Sequence, residues 1–305
     1  MRIVLIGQAA FGKAVLERLL DRGEQIVAVY APPDTSERPD ALAQAARDRG
    51  IALEQPKRMR NPEVYEKYRT YYPDLNVMAF VTDFVPESIL FHPPHETIQY
   101  HPSLLPRHRG PSAINWAIIH GDTKTGLTIF WVDKGLDTGP ILLQKEVEIG
   151  PDDTVGSIYF DRLFPLGVDA LIEAVDLVKA GTAPKIPQDE SQATYESRCR
   201  DADGQIDWTK PAQQVYNLIR GCNPQPGAST TVNGQKLKIF DARLEPGAAG
   251  GEPGDVVESG DQGFAVAAPG GRIRVQRVQP EGAGKIAAGE FVRNTGLTVG
   301  TRLGA

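Results

Sequence analysis

Cysteine is scarce in this sequence, and long hydrophobic runs are missing. The 305 residues include only two cysteines, Cys199 and Cys222. Their spacing fits neither a Cys-x-x-Cys motif nor a disulfide framework, so we expect a reducing compartment. No stretch reaches the roughly 18 consecutive apolar residues that a transmembrane helix requires. The apolar run after Met1 and Arg2 has about five residues, too few for the core of a signal peptide. These absences predict a soluble, cytoplasmic protein with no membrane partner.

An excess of positive charge is also missing, because the formal net charge is −6. This balance argues against a protein whose whole surface binds nucleic acid, although it is compatible with a local basic patch. The hydrophobic fraction of 41% and the charged fraction of 24% are those of an ordinary globular protein. A length of 305 residues indicates two domains.

Strand-like and helix-like patterns alternate in the first half of the sequence. Short runs rich in β-forming residues lie at 3–6, 26–30, 76–80, 97–100 and 127–132. Helical patterns such as AVLERLLDRG and ALAQAARDRG lie between the first of them. This alternation predicts βαβ units and an α/β domain with a mostly parallel sheet. The run ILLQKEVEI predicts an edge strand, and the apolar periodicity after it predicts one long helix over 157–181, ended by Gly181.

The pattern changes after this helix. Residues 182–205 are polar and contain no sustained period, which is typical of a surface linker. Beyond them, one short helical pattern precedes several short strand-like runs, and Asn233-Gly234 predicts a hairpin. We therefore predict a catalytic domain at 1–185, a linker at 186–205 and a small β-barrel domain at 206–305.

The first strand-like run ends in a glycine-rich turn, GQAAFGK at 7–13. Its spacing is close to a P-loop and to a dinucleotide-binding fingerprint. A P-loop needs Ser or Thr after the lysine to ligate Mg²⁺, and Ala14 stands there. The dinucleotide fingerprint needs a glycine where Ala9 stands, so that the backbone can approach a pyrophosphate. We therefore interpret this turn as scaffold rather than as a nucleotide site.

Two polar clusters follow predicted strands. His101 comes directly after the strand at 97–100, at the start of a Pro-rich stretch that predicts an irregular loop. Asp133 and Asp137 lie among glycines just after the strand at 127–132. An imidazole beside a carboxylate would supply a general acid or base and a group that tunes it. A capped turn with an exposed histidine, and a plain Asp-Gly turn, are the alternative interpretations, and the spacing does not show that the clusters meet.

The other candidate groups are less specific. His92 and His95 do not complete a metal-ligand pattern, so we predict no metal. Arg107, His108 and Arg109 form a small basic cluster. It is either a solvated loop or an anion-binding site, for instance for a polyglutamate tail.

These residues resemble a known family. HPSLLPRHRGPSAIN at 101–115 and GLDTG at 135–139 are similar to the signature of the folate-dependent formyltransferases. The family includes methionyl-tRNA formyltransferases and the N-terminal hydrolase part of 10-formyltetrahydrofolate dehydrogenases. The similarity continues through PDDTVGSIYFDRLFPLG, IRGCNPQPGA and QPEGAGKIAAGEF, in the same order. It implies a Rossmann-like domain followed by an OB-like β-barrel, and 10-formyltetrahydrofolate as the formyl donor, with tetrahydrofolate as product.

The resemblance also implies the residues of the site. His101 and Asp137 would be the catalytic pair, with Gln99 beside them. We expect both members of the pair to be exposed groups at loop ends. The implied folate-binding residues are Phe80, Val81, Asp83, Phe84, Leu104 and Asp133.

The formyl acceptor is predicted from where the sequence departs from its relatives. The tRNA-acting and sugar-acting transferases carry Asn two residues before the histidine, whereas this chain has Gln99. The segment APPDTSERPDALAQAA is short and acidic where the tRNA-acting relatives carry a basic insertion, so we expect tRNA to be a disfavoured partner. The C-terminal motifs resemble the tRNA-acting enzymes at least as well. We predict water as the favoured acceptor, with methionyl-tRNA, a small amine or sugar nucleotide, and a folate-binding regulatory protein as alternatives.

Overall fold

The computed structural model describes residues 1–34 and 38–304. Along the first half, the strands and helices are β1 (Arg2–Gly7), α1 (Ala9–Asp21), β2 (Gln25–Tyr30), α2 (Ala41–Asp48), β3 (Leu53–Glu54), α3 (Pro62–Tyr68), β4 (Leu75–Ala79), α4 (Glu87–Leu90), β5 (Thr97–His101), α5 (Ala113–His120), β6 (Lys124–Trp131) and β7 (Ile141–Glu148). The chain continues with α6 (Val155–Ile158), a π-helical turn (Tyr159–Leu163) and α7 (Phe164–Ala180). Short 3-10 turns lie at Arg69–Tyr71 and Glu190–Gln192.

In the described residues, β1 to β7 form a seven-stranded sheet with the order β3-β2-β1-β4-β5-β6-β7. The pairs on the β3 side of β5 are parallel, whereas β6 runs antiparallel to β5. The central strands β1 and β4 are almost continuously apolar and buried, as expected when helices cover both faces of a sheet. The predicted edge strand is confirmed, because β7 lies at the edge of the sheet.

The predicted helix over 157–181 is helical throughout, but it contains a π-helical turn at Tyr159–Leu163. Its last part is the 17-residue α7, which ends at Gly181 in the left-handed region with φ 69°, as the sequence predicts. The short helix α6, capped by Thr154, leads into the π-helical turn without a break. The stretch predicted as irregular loop after His101 also contains a helix, since AINWAIIH forms α5.

The C-terminal part begins with α8 (Ala212–Gly221). It continues with β8 (Ala228–Val232), β9 (Gln235–Ile239), β10 (Ala242–Pro246), β11 (Val256–Gly260), β12 (Gly263–Ala268), β13 (Gly271–Val275), β14 (Arg277–Pro280), β15 (Ile286–Ala287) and α9 (Ala288–Thr295). Within the described residues, the strands form two four-stranded sheets, β10-β13-β12-β11 and β15-β14-β9-β8. Asn233 and Gly234 join β8 to β9 with φ values of 50° and 77°, which confirms the predicted hairpin.

The chain divides into two compact units. The first contains Met1–Arg109, Gly126–Val147 and Arg162–Tyr195, and the second contains Gly110–Thr125, Glu148–Asp161 and the residues from Glu196 onward. A mostly parallel sheet with helices and a small antiparallel β-rich domain confirm the predicted fold class. Among the residues that the structure describes, no helix is both long and apolar enough to cross a membrane.

Candidate active site

His101 is the last residue of β5, and its side chain is buried. Its Nε2 atom lies 2.8 Å from the carbonyl oxygen of His108, which can only accept, so Nε2 carries a proton and Nδ1 faces the rest of the site. Side chains alternate along a strand, so Gln99 lies on the same face as His101. Tyr100 points to the other face, where its ring packs on Phe11 with 4.5 Å between centroids.

Asp137 reaches His101 by way of a loop rather than from a neighbouring strand end. In the antiparallel β5–β6 pair, His101 lies opposite Thr128, whereas Trp131 lies opposite Ile98. The end of β6 is therefore beside the beginning of β5, and the loop at 132–140 must run back along the sheet. It places Oδ2 of Asp137 at 3.6 Å from Nδ1 of His101.

The loop that carries Asp137 is tightly constrained. Oδ1 of Asp133 accepts hydrogen bonds from the amide of Gly135 (3.0 Å) and the hydroxyl of Thr138 (2.6 Å). A Cβ atom at Gly139 would lie 1.7 Å from the carbonyl oxygen of Trp131, so only glycine fits there. Asp137 itself has φ 56°, a left-handed conformation that Asp and Asn tolerate better than most residues. The hydrogen bonds of Asp133 and the close packing at Gly139 thus hold the Asp137 backbone in its left-handed conformation.

The prediction that the pair is exposed at loop ends is wrong. The side chains of His101 and Asp137 are only 6% and 7% exposed. Burial follows from the loop at 132–140, which covers the end of β5. A buried pair interacts more strongly than an exposed one, because less water screens it.

The residues after β4 line a separate cleft at the carboxyl ends of β1, β2 and β4. Phe80, Val81 and Asp83 are among its lining residues. Phe80 has φ 64° and is 46% exposed, and Phe84 beside it is 68% exposed. Asp83 shapes this loop, because its carboxylate accepts from the amides of Met59 (2.9 Å) and Phe84 (2.9 Å). The cleft thus presents the Phe80 ring and a fixed carboxylate, and the Phe84 ring is exposed on the same loop.

Leu104 lies apart from the residues of this cleft. It is half-buried in the loop after His101, where a Cβ at Gly126 would contact its side chain at 2.6 Å. The structure therefore brings Phe80, Val81 and Asp83 together, whereas Leu104 belongs to a different loop.

In the basic cluster after His101, Arg107 is exposed, whereas His108 and Arg109 are buried. Arg109 is fully buried, and its guanidinium donates to Gln188 and Glu190 and stacks over the Tyr195 ring at 5.0 Å. The hydrogen bonds to Glu190 raise the pKa of Arg109. Because these contacts engage the guanidinium, Arg109 fits neither the solvated loop nor the alternative anion-binding site. His92, a weak metal candidate, lies against the ring of Tyr65 instead, with Nδ1 3.2 Å from its hydroxyl.

Sequence reasoning missed the residues that hold this region in place. The sequence predicts a linker at 186–205, yet Gln188 contacts the Asp137 loop, and Thr194 contacts the backbone of His108. No motif or periodicity marks these two residues, because they contact the backbone of residues far away in sequence.

The glycine-rich turn after β1 is occupied by the chain itself. The carboxylate of Asp40 accepts from the amide of Ala9 (2.7 Å), at the N-terminus of α1, and also caps α2. A Cβ at Gly7 would lie 2.3 Å from the carbonyl oxygen of Ala79, so this glycine permits close packing of β1 on β4. These contacts support the interpretation of the turn as scaffold.

Comparison with known proteins defines the class. The family model described as "Formyl transferase" matches residues 1–175, and the model "Formyl transferase, C-terminal domain" matches residues 198–296. The chain belongs to the folate-dependent formyltransferase family and is an enzyme of that family. The family predicted from the sequence is confirmed.

The individual relatives include two kinds of enzyme. A methionyl-tRNA formyltransferase of Geotalea daltonii is 40% identical over 310 residues, covering 100% of this chain and 98% of the relative. The cytosolic 10-formyltetrahydrofolate dehydrogenase of Mus musculus is 45% identical over 249 residues, covering 80% of this chain but only 28% of the relative. The full-length match does not favour the predicted water acceptor.

Solved structures agree on the fold. HypX from Aquifex aeolicus in complex with tetrahydrofolic acid has a TM-score of 0.70 at 19% identity and covers 96% of this chain and 47% of its own. The sugar 3N-formyl transferase WlaRD has a TM-score of 0.69 at 18% identity, covering 92% of this chain and 98% of its own. At these identities the similarity concerns the fold alone.

Proposed function

We propose that His101 and Asp137 catalyse formyl transfer from 10-formyltetrahydrofolate. The observation that carries this proposal is the buried pair itself, with Nδ1 of His101 at 3.6 Å from Oδ2 of Asp137. This separation is longer than a hydrogen bond of 2.7–3.2 Å between nitrogen and oxygen. The gap leaves room for substrate atoms that contact the imidazole and the carboxylate separately.

The orientation of His101 suits the charge that develops in the reaction. An acceptor nucleophile adds to the formyl carbon, and the carbonyl oxygen becomes an oxyanion. With Nε2 donating to His108, a protonated His101 presents its Nδ1 proton to this oxygen. The nucleophile loses a proton to the Asp137 carboxylate. The bond from the formyl carbon to N10 then breaks as N10 takes the proton held by Asp137, which gives tetrahydrofolate and restores the carboxylate.

The folate is proposed to bind beside the loop at 80–84. Phe80 and Phe84 expose large apolar surfaces there, and Val81 and Asp83 line the cleft next to them. Leu104 and Asp133 complete the predicted set. One carboxylate oxygen of Asp133 is already engaged within its turn, so its proposed contribution is to shape the loop.

The first candidate acceptor is the amino group of methionyl-tRNA. The full-length match to a methionyl-tRNA formyltransferase, over 98% of that relative, supports it. In this reaction the amine nitrogen attacks the formyl carbon, and the products are tetrahydrofolate and the N-formylated aminoacyl-tRNA.

The second candidate acceptor is a small nucleophile, including water. Among the described residues from Gln205 onward, nine of eleven Lys and Arg side chains have a carboxylate within 4.0 Å: Lys210, Lys236, Lys238, Arg243, Arg272, Arg274, Arg277, Arg293 and Arg302. Of the other two, Arg220 is buried, and Lys285 lies 3.5 Å from the centroid of the Phe240 ring. Phosphates of a tRNA would have to compete with these carboxylates.

The test separates the acceptors under one set of conditions. Purified protein is incubated with 10-formyltetrahydrofolate, with and without methionyl-tRNA, and tetrahydrofolate, formate and formylmethionyl-tRNA are measured. Formylated tRNA with a rate that falls steeply as salt rises indicates the tRNA acceptor. Formate released equally in both samples indicates hydrolysis. A protein that releases no tetrahydrofolate with methionyl-tRNA, water or an added amine contradicts the proposed function.

A further inference from the structure

We propose that Gln188 is a positioning residue that holds Asp137 in its catalytic orientation, and that the segment at 188–195, which we call the strap, fixes both members of the pair. This inference rests on the proposed roles of His101 and Asp137. The strap lies within residues 186–205, which the sequence predicts to be a linker.

The Gln188 side chain bridges the Asp137 loop and a buried arginine. Its Nε2 atom donates to the carbonyl oxygen of Asp137 at 2.9 Å and to that of Gly139 at 2.8 Å. Its Oε1 atom accepts from the guanidinium of Arg109 at 2.7 Å and 3.2 Å. All polar atoms of this amide are engaged, so its rotamer is fixed at both ends.

Arg109 anchors this bridge to the fold. Its side chain is fully buried, and Glu190 and Tyr195 of the strap bind the same guanidinium. Its backbone amide donates to the carbonyl oxygen of Thr194 at 3.0 Å. Arg109 thus connects the strap to the loop that follows His101.

The other end of the strap reaches His101. The hydroxyl of Thr194 accepts from the amide of His108 at 2.8 Å. The carbonyl oxygen of the same His108 accepts from Nε2 of His101. One segment therefore holds the backbone of Asp137 through Gln188 and the imidazole of His101 through Thr194 and His108.

Precise placement of Asp137 needs such support. Asp137 has a left-handed backbone conformation and lies in a loop that returns from the opposite end of the sheet. A rotation of the Asp137 peptide would move the carboxylate, and a misplacement of about 1 Å can cost about 100-fold in rate. The two bonds from Gln188 hold the carbonyls on either side of Thr138 and so oppose this rotation.

The experiment compares Gln188→Met with Gln192→Met in the full chain. Both variants remove a strap amide, but among the described residues Nε2 of Gln192 donates to the carboxylate of Asp189 and not to the Asp137 loop. We expect Gln188→Met to lower kcat about 100-fold with little change in KM for 10-formyltetrahydrofolate, and Gln192→Met to match the wild type. Gln188→Glu keeps an acceptor for Arg109 but loses both donated bonds, so it should behave like Gln188→Met.

Two further measurements separate positioning from a general structural role. In an Asp137→Asn background, Gln188→Met should lower kcat by less than about 2-fold, because both changes act through the same carboxylate. The NMR resonances of the His101 imidazole, assigned by their loss in His101→Gln, should shift in Gln188→Met and in Asp137→Asn but not in Gln192→Met.

The outcomes separate this inference from the proposed function. Wild-type kcat in Gln188→Met or Gln188→Glu, additive losses in the double variant, or unchanged His101 resonances in Gln188→Met would each overturn the role of Gln188. A wild-type protein that releases no tetrahydrofolate defeats the proposed function instead. Even in that case, the His101 imidazole resonances report whether Gln188 sets the geometry of the His101–Asp137 pair.

Discussion

Nδ1 of His101 and Oδ2 of Asp137 face each other across 3.6 Å inside a buried site. In this arrangement a protonated imidazole can donate from Nδ1 to an oxyanion while the carboxylate accepts the proton of the nucleophile. Removing one group should therefore remove most of the chemistry. We expect Asp137→Asn and His101→Gln each to lower kcat by about 10²–10⁴-fold, the range for general acid–base catalysis.

The choice of substitutions keeps the fold intact in this first test. Asn tolerates the left-handed conformation of Asp137 as well as Asp does, and Gln approximates the volume of a buried imidazole. Thermal melting should show both variants folded at the assay temperature. Wild-type turnover in either folded variant would contradict the assignment.

Gly139 gives a test of the loop rather than of the chemistry. A Cβ atom there would lie 1.7 Å from the carbonyl oxygen of Trp131, so Gly139→Ala must shift the loop that carries Asp137. We expect a loss of about 1–3 kcal/mol of stability, as for overpacked sites, together with reduced kcat. Gly284→Ala is the control, since Gly284, like Gly139, has no left-handed φ, and no atom lies within 4 Å of a Cβ added there. An active, stable Gly139→Ala variant would show that the loop has room.

The sequence predicts the α/β class, the β-rich C-terminal domain and the strand that carries His101, because local periodicity and turn residues determine them. It does not predict the direction of β6, since strand-like runs look alike in either orientation. For that reason the order of the strands does not predict that Asp137 lies beside His101, although the family motif includes Asp137. The sequence does not mark Gln188 or Thr194 as site residues. Gln188 contacts the backbone of a residue 51 positions away, and Thr194 contacts the backbone of a residue 86 positions away.

Gln99 is the residue at which the choice of acceptor can be tested. It lies two residues before His101 on the same face of β5, half-buried. Asn at this position is shorter by one methylene, which moves the amide by about 1 Å. We expect Gln99→Asn to change the ratio of formylated acceptor to formate by about 10-fold or more, measured with 10-formyltetrahydrofolate and methionyl-tRNA together. An unchanged ratio would mean that this amide does not contact the reacting groups.

The turn after β1 should bind no nucleotide, because the carboxylate of Asp40 already occupies the amide of Ala9. We expect millimolar ATP or NAD to leave the melting temperature unchanged, since only a ligand that binds the folded state raises it. A clear rise with either nucleotide would contradict the interpretation as scaffold. Asp40→Ala should cost about 0.5–2 kcal/mol of stability, because it removes the cap of α2.

Acid sensitivity of the C-terminal unit should depend on Glu245. Hydrogen bonds from Arg274, followed by those from Arg272, lower the pKa of Glu245 below its ordinary 4.5. A lowered pKa stabilises the fold above about pH 4.5, and this contribution is lost as pH falls through the folded-state pKa. The carboxylate is partly exposed, so its contribution is about 1 kcal/mol or less.

Melting curves of Glu245→Gln at several pH values check this expectation. The variant should melt below the wild type at pH 7, and the difference should shrink as the pH falls below about 4.5. Glu281→Gln, which removes an exposed carboxylate from a turn of the same unit, should show a small difference at every pH. A difference between Glu245→Gln and wild type that stays constant down to pH 2 would contradict the lowered pKa.

We propose above that the His101–Asp137 pair acts on 10-formyltetrahydrofolate. The most direct test of this proposal is a single-turnover measurement of tetrahydrofolate release, with enzyme in excess and methionyl-tRNA present, for the wild type and for folded His101→Gln. We expect the wild type to release tetrahydrofolate and His101→Gln to release it at a rate about 10²–10⁴-fold lower. Equal rates in the two proteins would contradict it.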